Sequence, residues 1–293
     1  MIDHSHGDGQ PAESSGTWDH YSNQILAGSA LLVLAVGTVG YRLLEDWSWV
    51  ANDYRHPVIL AKDAATIDVL SGGRFELGIG TGWIEEQYFA AGFPYDDPKV
   101  RVDRFEEAIE VIMGCWSGEP FTFTGDHYQV TDVTCPQPFQ LPHPPVLIGA
   151  AGRRMLNIAG READIVSIGP LRPGASGFKD FAPGMASSGD RIQAQLDWIH
   201  QGAGARYSKI ELSVMAHHLV VTDDVASVAN QLATAGGTTP DQVLESPHVL
   251  VGPTDAIVET LQYRRERYGI SYFVFAGDDL DAVEPVVSQL AGT

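Results

Sequence analysis

The alternation of short apolar runs with amphipathic stretches predicts an α/β protein, a TIM-barrel-like (β/α)8 fold lacking its first β/α unit and carrying an inserted β-hairpin near residues 120–130. Three observations lead there. Strand and helix patterns alternate from about residue 38 to the end, which is the order that gives a parallel sheet. Glycines or polar residues stand behind almost every strand: Asn52-Asp53, Gly80-Thr81-Gly82-Trp83, Gly149 to Arg153, Gly169-Pro170, His217-His218 and Gly277-Asp278-Asp279. A barrel builds its site from all of its strand ends, whereas a doubly wound sheet concentrates chemistry at one switch point. Finally, 293 residues with 44% hydrophobic content suffice for one large domain over 1–293.

Taken in order, residues 1–24, with Gly7, Gly9, Pro11 and Ser14 to Gly16, read as an irregular start. The apolar run Ile25 to Val39 is too short for a membrane span and contains Gly28 and Gly37, so it reads as a buried helix leading into a strand over Thr38 to Leu44. Pro57 opens a helix at its first position, and Val58, Leu60, Ala61, Ala64, Ala65, Ile67 and Leu70 follow at helical spacing until Gly72-Gly73. Phe75 to Ile79 is a strand, and Val100 to Trp116 is an amphipathic helix with Phe105, Ala108, Ile109 and Ile112 inside. Period-two alternation around Gly125-Asp126 marks the hairpin over Phe121 to Val130.

Strand Val146 to Ile148 then leads to a helix over Arg154 to Arg161. Strand Asp164 to Ile168 leads to a loop and a helix over Arg191 to His200, and strand Ile210 to Met215 to a helix over Val225 to Ala235. A helix from Pro253 to Tyr268, strand Ser271 to Phe275 and a helix over Leu280 to Leu290 complete the chain.

Composition removes several function classes. A net charge of −20 repels nucleic acid over most of the surface, so an anionic ligand must be held locally. Cys115 and Cys135 form no zinc-type spacing and read as free thiols of a cytoplasmic protein; no metal site is expected. Lys62 falls inside a helix and Lys99, Lys179 and Lys209 away from strand ends, which disfavours Schiff-base chemistry.

Two turns stand out, Arg74-Phe-Glu-Leu-Gly-Ile-Gly-Thr-Gly-Trp83 and Pro145-Val-Leu-Ile-Gly-Ala-Ala-Gly-Arg153, each placing small residues and free backbone N–H groups at a strand end. The block from Arg55 to Trp83 is very similar to the central block of the luciferase-like flavin and deazaflavin oxidoreductases. Pro145 to Ile168 resembles that family's phosphate-binding unit and Val251 to Phe275 its closing unit. The subgroup it most resembles uses coenzyme F420, a deazaflavin that moves hydride.

The resemblance implies a flavin-type ring across the strand ends. Gly80, Thr81 and Gly82 would lie beside it, and Ala150, Ala151, Gly152 and Arg153 around its phosphate. Asn52 falls at the third-strand bulge, where family members commonly place a non-proline cis peptide bond under the ring, and is assigned to the cofactor. Asp3-His4 matches the Asp-His pair of deazaflavin members, which makes His4 the proton donor or acceptor; imidazole titrates near working pH. His56 reads as a cap of the following helix or as packing under it. Of His217 and His218, which alternate faces, at most one points inward.

The function so implied is hydride transfer between F420 and a small organic substrate. An FMN-dependent monooxygenase acting on paired donors, inserting one atom of O2, is the alternative within the fold, and a non-catalytic barrel remnant is the alternative outside it. Only six strands and a stub at Met1 to Asp3 are legible where a barrel has eight, and an open barrel would leave strand edges unpaired. Neither a nucleic-acid nor a membrane partner is expected; dimerisation is common in the family.

Overall fold

The computed structural model describes residues 50–170, 189–275 and 280–290, all within one compact unit, Leu34–Thr293. The proposed strand Thr38 to Leu44, the apolar run Ile25 to Val39 and the Asp3-His4 pair lie outside the described residues.

Six strands form one parallel sheet: β1 (Val50–Ala51), β2 (Leu77–Gly80), β5 (Val146–Ala150), β6 (Ile165–Ile168), β7 (Glu211–Ala216) and β10 (Ile270–Phe275). They pair in chain order, each with its predecessor and successor, which is the arrangement of consecutive barrel staves. The α/β class and the parallel sheet are as the sequence predicts.

The helices form where the sequence supplies both a start signal and a stop. Helix α1 (Pro57–Ser71) begins with proline at its first position and His56 Nδ1 accepting from the Val58 N–H at 3.3 Å, and ends on Gly72 at φ +65°. His56 is thus a cap, as expected. The short α2 (Glu85–Ala91) ends on Gly92, and α3 (Pro98–Cys115) starts from Asp97, which accepts from the Lys99 N–H at 2.8 Å. The hairpin of β3 (Phe121–Thr124) and β4 (Gln129–Val133) has its turn pinned by the Glu107 carboxylate, which accepts the N–H groups of Asp126, His127 and Tyr128 at 2.8, 2.9 and 3.0 Å.

Helix α4 (Arg153–Glu162) follows β5, and α5 (Gly189–Ala203) precedes β7. These two meet at glycines: a Cβ on Gly160 would stand 2.3 Å from the Ile199 carbonyl oxygen, and one on Gly202 2.1 Å from that of Asn157. Both distances are far inside van der Waals contact, so the backbones approach because neither position carries a side chain.

Five of the strands and helices were not foreseen. They are the two-residue β1, α2, the parallel pair β8 (His218–Val221) and β9 (Val249–Gly252), and α7 (Pro240–Glu245), which follows α6 (Val225–Gly236) and carries a Thr239/Gln242 capping box. Helix α8 (Thr254–Tyr268) and α9 (Leu280–Leu290) complete the chain order.

One sheet face is the main core. Leu77, Ile79, Val146, Ile148, Val166, Ile168, Leu212 and Val214 pack against Ala61, Phe105, Ile109, Leu156 and Ile199 of the helices. Period two then puts Gly80, Gly149, Ser167 and Ser213 on the opposite, inner face. Gly149 pairs with Ser167 and Ser167 with Ser213, while a Cβ on Gly80 would lie 3.7 Å from the Gly149 carbonyl oxygen. The upper inner layer is therefore a row of two glycines and two serines, at a level where a filled barrel carries bulky branched residues.

Candidate functional site

The carboxyl end of β1 turns through a 3-10 segment, Asn52–Tyr54, that places one buried amide and one buried carboxylate side by side. Asn52 is fully buried; its Nδ2 reaches Tyr128 Oη at 3.3 Å, and its Oδ1 is buried without a hydrogen-bond partner. Asp53, its side chain only 5% exposed, receives a two-pronged bond from Arg104, Nε to Oδ1 at 2.7 Å and Nη2 to Oδ2 at 2.8 Å. Arg104 also holds Asp96 at 2.9 Å. The non-proline cis bond associated with this bulge does not occur among the described residues, where the one cis bond is Leu141-Pro142.

Tyr88 ties this turn to the next strand end. Its hydroxyl lies 3.1 Å from Asp53 Oδ2 and 2.9 Å from the Thr81 carbonyl oxygen and shares its one proton between these two acceptors. Burial beside the Asp53 carboxylate pushes the Tyr88 hydroxyl far above its usual range, so it stays protonated. Arg101 donates to the Gly82 carbonyl and, at 3.0 Å, to that of Asp96, while its guanidinium lies 4.2 Å from the centre of the Tyr95 ring. The Gly80, Thr81 and Gly82 turn is thus held from beneath by a tyrosine and an arginine.

Gly82 sits at φ +72°, and a Cβ there would be 2.1 Å from Tyr88 Oη. Gly82→Ala is expected to cost about 2 kcal/mol, from the left-handed backbone and the displaced tyrosine. A chemical denaturation curve measures it, and an unchanged midpoint would contradict the packing described.

At the next strand end, β5 runs into Ala151 and Gly152, and Gly152 is the N-cap of α4 with no side chain capping it. Gly152 is exposed, a Cβ on it would meet nothing within 4 Å, and the N–H groups of the first turn have no partner within the helix. Arg153 is exposed, its Nη2 3.5 Å from Gln201 Oε1, while Arg154 is engaged by Asp103 and Glu106. Behind the turn the fully buried Gln195 of α5 donates from Nε2 to the carbonyls of Ala151 and Gly169, each at 3.0 Å.

β2 and β5 are paired neighbours, so the two turns singled out in the sequence, Gly80 to Gly82 and Ala150 to Arg153, lie at adjacent strand ends with Asn52 one strand further on. His4 lies outside the described residues.

Farther along, His217 follows β7 and its ring centre is 5.9 Å from that of His248. His248 is fully buried, its Nδ1 3.0 Å from the Met215 carbonyl oxygen and its Nε2 without a partner. Burial, with the buried Arg264 nearby, pulls His248 down to about 4; burial and His248 pull His217 down to about 3. Both are neutral near neutral pH. His248 is a packed core group, while His217 is half-buried at the end of β7.

Cys115 and Cys135 are both buried free thiols, and burial and the hydrogen-bonded Cys135 push Cys115 up to about 12. No helix among the described residues is long and apolar enough to cross a membrane.

Arg104 and Gln195 were not singled out by sequence reasoning, which noted Asp53 only as part of the Asn52-Asp53 strand end and gave Tyr88, behind the Gly80 turn, no chemistry. A signal existed for the arginines. Arg101 stands four residues before Phe105 and seven before Ala108, on the apolar stripe of α3, and Arg104 lies three residues on from it, in a chain holding only 18 basic residues.

A family model described as luciferase-like monooxygenase matches residues 17–269. An FMNH(2)-dependent dimethylsulfone monooxygenase from Pseudomonas putida is 32% identical over 161 residues, 55% of this chain and 40% of that protein. An F420-dependent glucose-6-phosphate dehydrogenase from Amycolatopsis mediterranei is 27% identical over 243 residues, 77% of this chain and 70% of that one. For the first three curated relatives the matched region spans 40%, 39% and 32% of their lengths. The solved structure of a coenzyme F420 dependent tetrahydromethanopterin reductase from Methanopyrus kandleri superimposes with a TM-score of 0.60 at 20% identity, covering 80% of this chain and 78% of that one, a likeness of fold.

Proposed function

The chain belongs to the luciferase-like monooxygenase family, and from that premise we propose that it is an F420-dependent oxidoreductase acting on a small organic substrate. One observation carries the reading: the turn at Gly152 offers unpaired backbone N–H groups to an anion, and it adjoins a strand end whose inner layer is glycine and serine. An otherwise acidic protein has here a local place for a phosphate, with room for a flat ring beside it. The F420-dependent relative that matches 77% of the chain favours the deazaflavin.

The residues present fit such a group. Oδ1 of Asn52 and Oγ of Ser213 are buried polar atoms that nothing among the described residues satisfies, as expected where a polar ligand completes the bonding. In this reading Asn52, Gly80, Thr81 and Gly82 hold the ring side, and Ala150, Ala151, Gly152 and Arg153 the phosphate. The deazaflavin, when bound, supplies or accepts the hydride. His4 exchanges the accompanying proton through an imidazole nitrogen, and Tyr88, fixed in its protonated form, keeps the Thr81 carbonyl turned away from the site.

A second reading, an FMN-dependent monooxygenase, is favoured by the 32% identity to the dimethylsulfone monooxygenase. Quenching of intrinsic tryptophan fluorescence by F420 and, separately, FMN tests the two, since Trp83 adjoins the Gly82 turn and is 46% exposed. Saturable quenching by F420 with weaker response to FMN is expected. Binding of FMN alone transfers the reading to the monooxygenase, and binding of neither overturns both.

A further inference from the structure

We propose that Gln195 is a positioning residue that aims the backbone of the anion-binding turn, an inference resting on the placement of a cofactor phosphate at Gly152. Gln195 belongs to α5, 43 residues beyond Gly152 in the chain, and has no exposed surface. Its one side-chain nitrogen gives a hydrogen bond to each of two strand-end carbonyls, Ala151 at the end of β5 and Gly169 at the end of β6, both at 3.0 Å. Gly169 in turn donates its N–H to the Ala150 carbonyl at 2.8 Å, so the ends of both strands are laced together at this point. The amide orientation is unambiguous, because only the NH2 end can face two carbonyl oxygens.

The consequence follows from peptide geometry. In a trans peptide the carbonyl of one residue and the N–H of the next point in opposite directions. Pulling the Ala151 oxygen inward to Gln195 therefore turns the Gly152 N–H the opposite way, away from the buried glutamine, at an exposed position at the start of α4. Without this hold the Ala151-Gly152 peptide plane is free to rotate, and the exposed turn would spend its N–H groups on water in varied directions. Pre-aimed donors cost no reordering when an anion arrives. Oε1 of Gln195 is buried and unpartnered, so the side chain tolerates an unsatisfied acceptor in order to place its donors.

The test separates aiming from folding by comparing ligands with and without the phosphate. Dissociation constants are measured for F420 against its phosphate-free deazariboflavin core, and for FMN against riboflavin, in the wild-type protein, Gln195→Met and Gln195→Leu. Wild-type protein is expected to favour the phosphate-bearing member. In both variants that preference should fall tenfold or more, while binding of the phosphate-free member changes less than threefold. A general loosening of the fold would weaken both ligands together and leave the ratio intact, which would overturn the inference. If the wild type shows no preference for the phosphate-bearing ligand, the placement of phosphate at Gly152 fails instead. Leucine also lacks the NH2 and adds no charge, so Gln195→Leu gives the same reading should Gln195→Met not fold.

Discussion

Arg104→Met is expected to lower the stability of the protein by about 4 kcal/mol, the range for removing one partner of a buried ion pair. The magnitude follows from what remains behind. The Asp53 side chain is 5% exposed and receives two of its hydrogen bonds from Arg104; without them a nearly dry carboxylate keeps only Tyr88 and the weak 3.5 Å contact from Asn52. For a chain of this size that corresponds to a fall in the thermal midpoint of about 6 °C. Asp53→Asn combined with Arg104→Met should recover at least half of the loss, since no unpaired charge is then buried. A melting shift below about 2 °C in the single variant would show that the pair is not a support of the strand ends. Cofactor binding should weaken in parallel, because Asp53 and Tyr88 together join the Asn52 turn to the Thr81 turn.

Acid should destabilise the protein well before its carboxylates titrate. His217 and His248 have folded values of about 3 and about 4 against an unfolded value near 6.5. The unfolded chain therefore binds more protons than the native one between pH 4 and 6.5. Stability is complete above 6.5 and falls as pH drops through that window, by up to about 1.4 kcal/mol per pH unit for each histidine. Asp103, held low by Lys99 and Arg154, contributes only in more acid solution. Urea midpoints recorded at pH 7.5, 6.0 and 5.0 should decline steadily, and His217→Phe should shallow the slope, leaving the part due to His248 and to His218, which burial also holds below its usual range. A flat profile down to pH 5 would show that these rings reach water in the folded state.

The strands, the helices and both glycine turns were legible because each rests on local chemistry. Pro57 starts a helix by fixing its own backbone, and Gly72 stops it by accepting a left-handed one. The turns were legible as clusters of small residues. The supports of the site were not, since they join residues far apart in sequence: Arg104 meets Asp53 across 51 positions and Gln195 meets Ala151 across 44. A glutamine in the middle of an amphipathic helix looks like any solvated position until the packing shows it fully buried. The parallel pair β8 and β9 escaped for the related reason that its two short strands are separated by two helices, α6 and α7, and neither strand alternates clearly. His217 and His218 were visible as candidates, but the surroundings of His217, a ring pair with His248, belong to tertiary structure alone.

The crossing of α4 and α5 at Gly160 and Gly202 acts as a fulcrum. Gly202 lies two turns along the same helix from Gln195, and Gly160 two turns along its own helix from Gly152. A side chain at either glycine would wedge the backbones apart and shift the Gly152 turn relative to Gln195, which α5 carries in its middle. Two residues with no side chain therefore set the distance over which a buried glutamine can hold the Ala151 carbonyl.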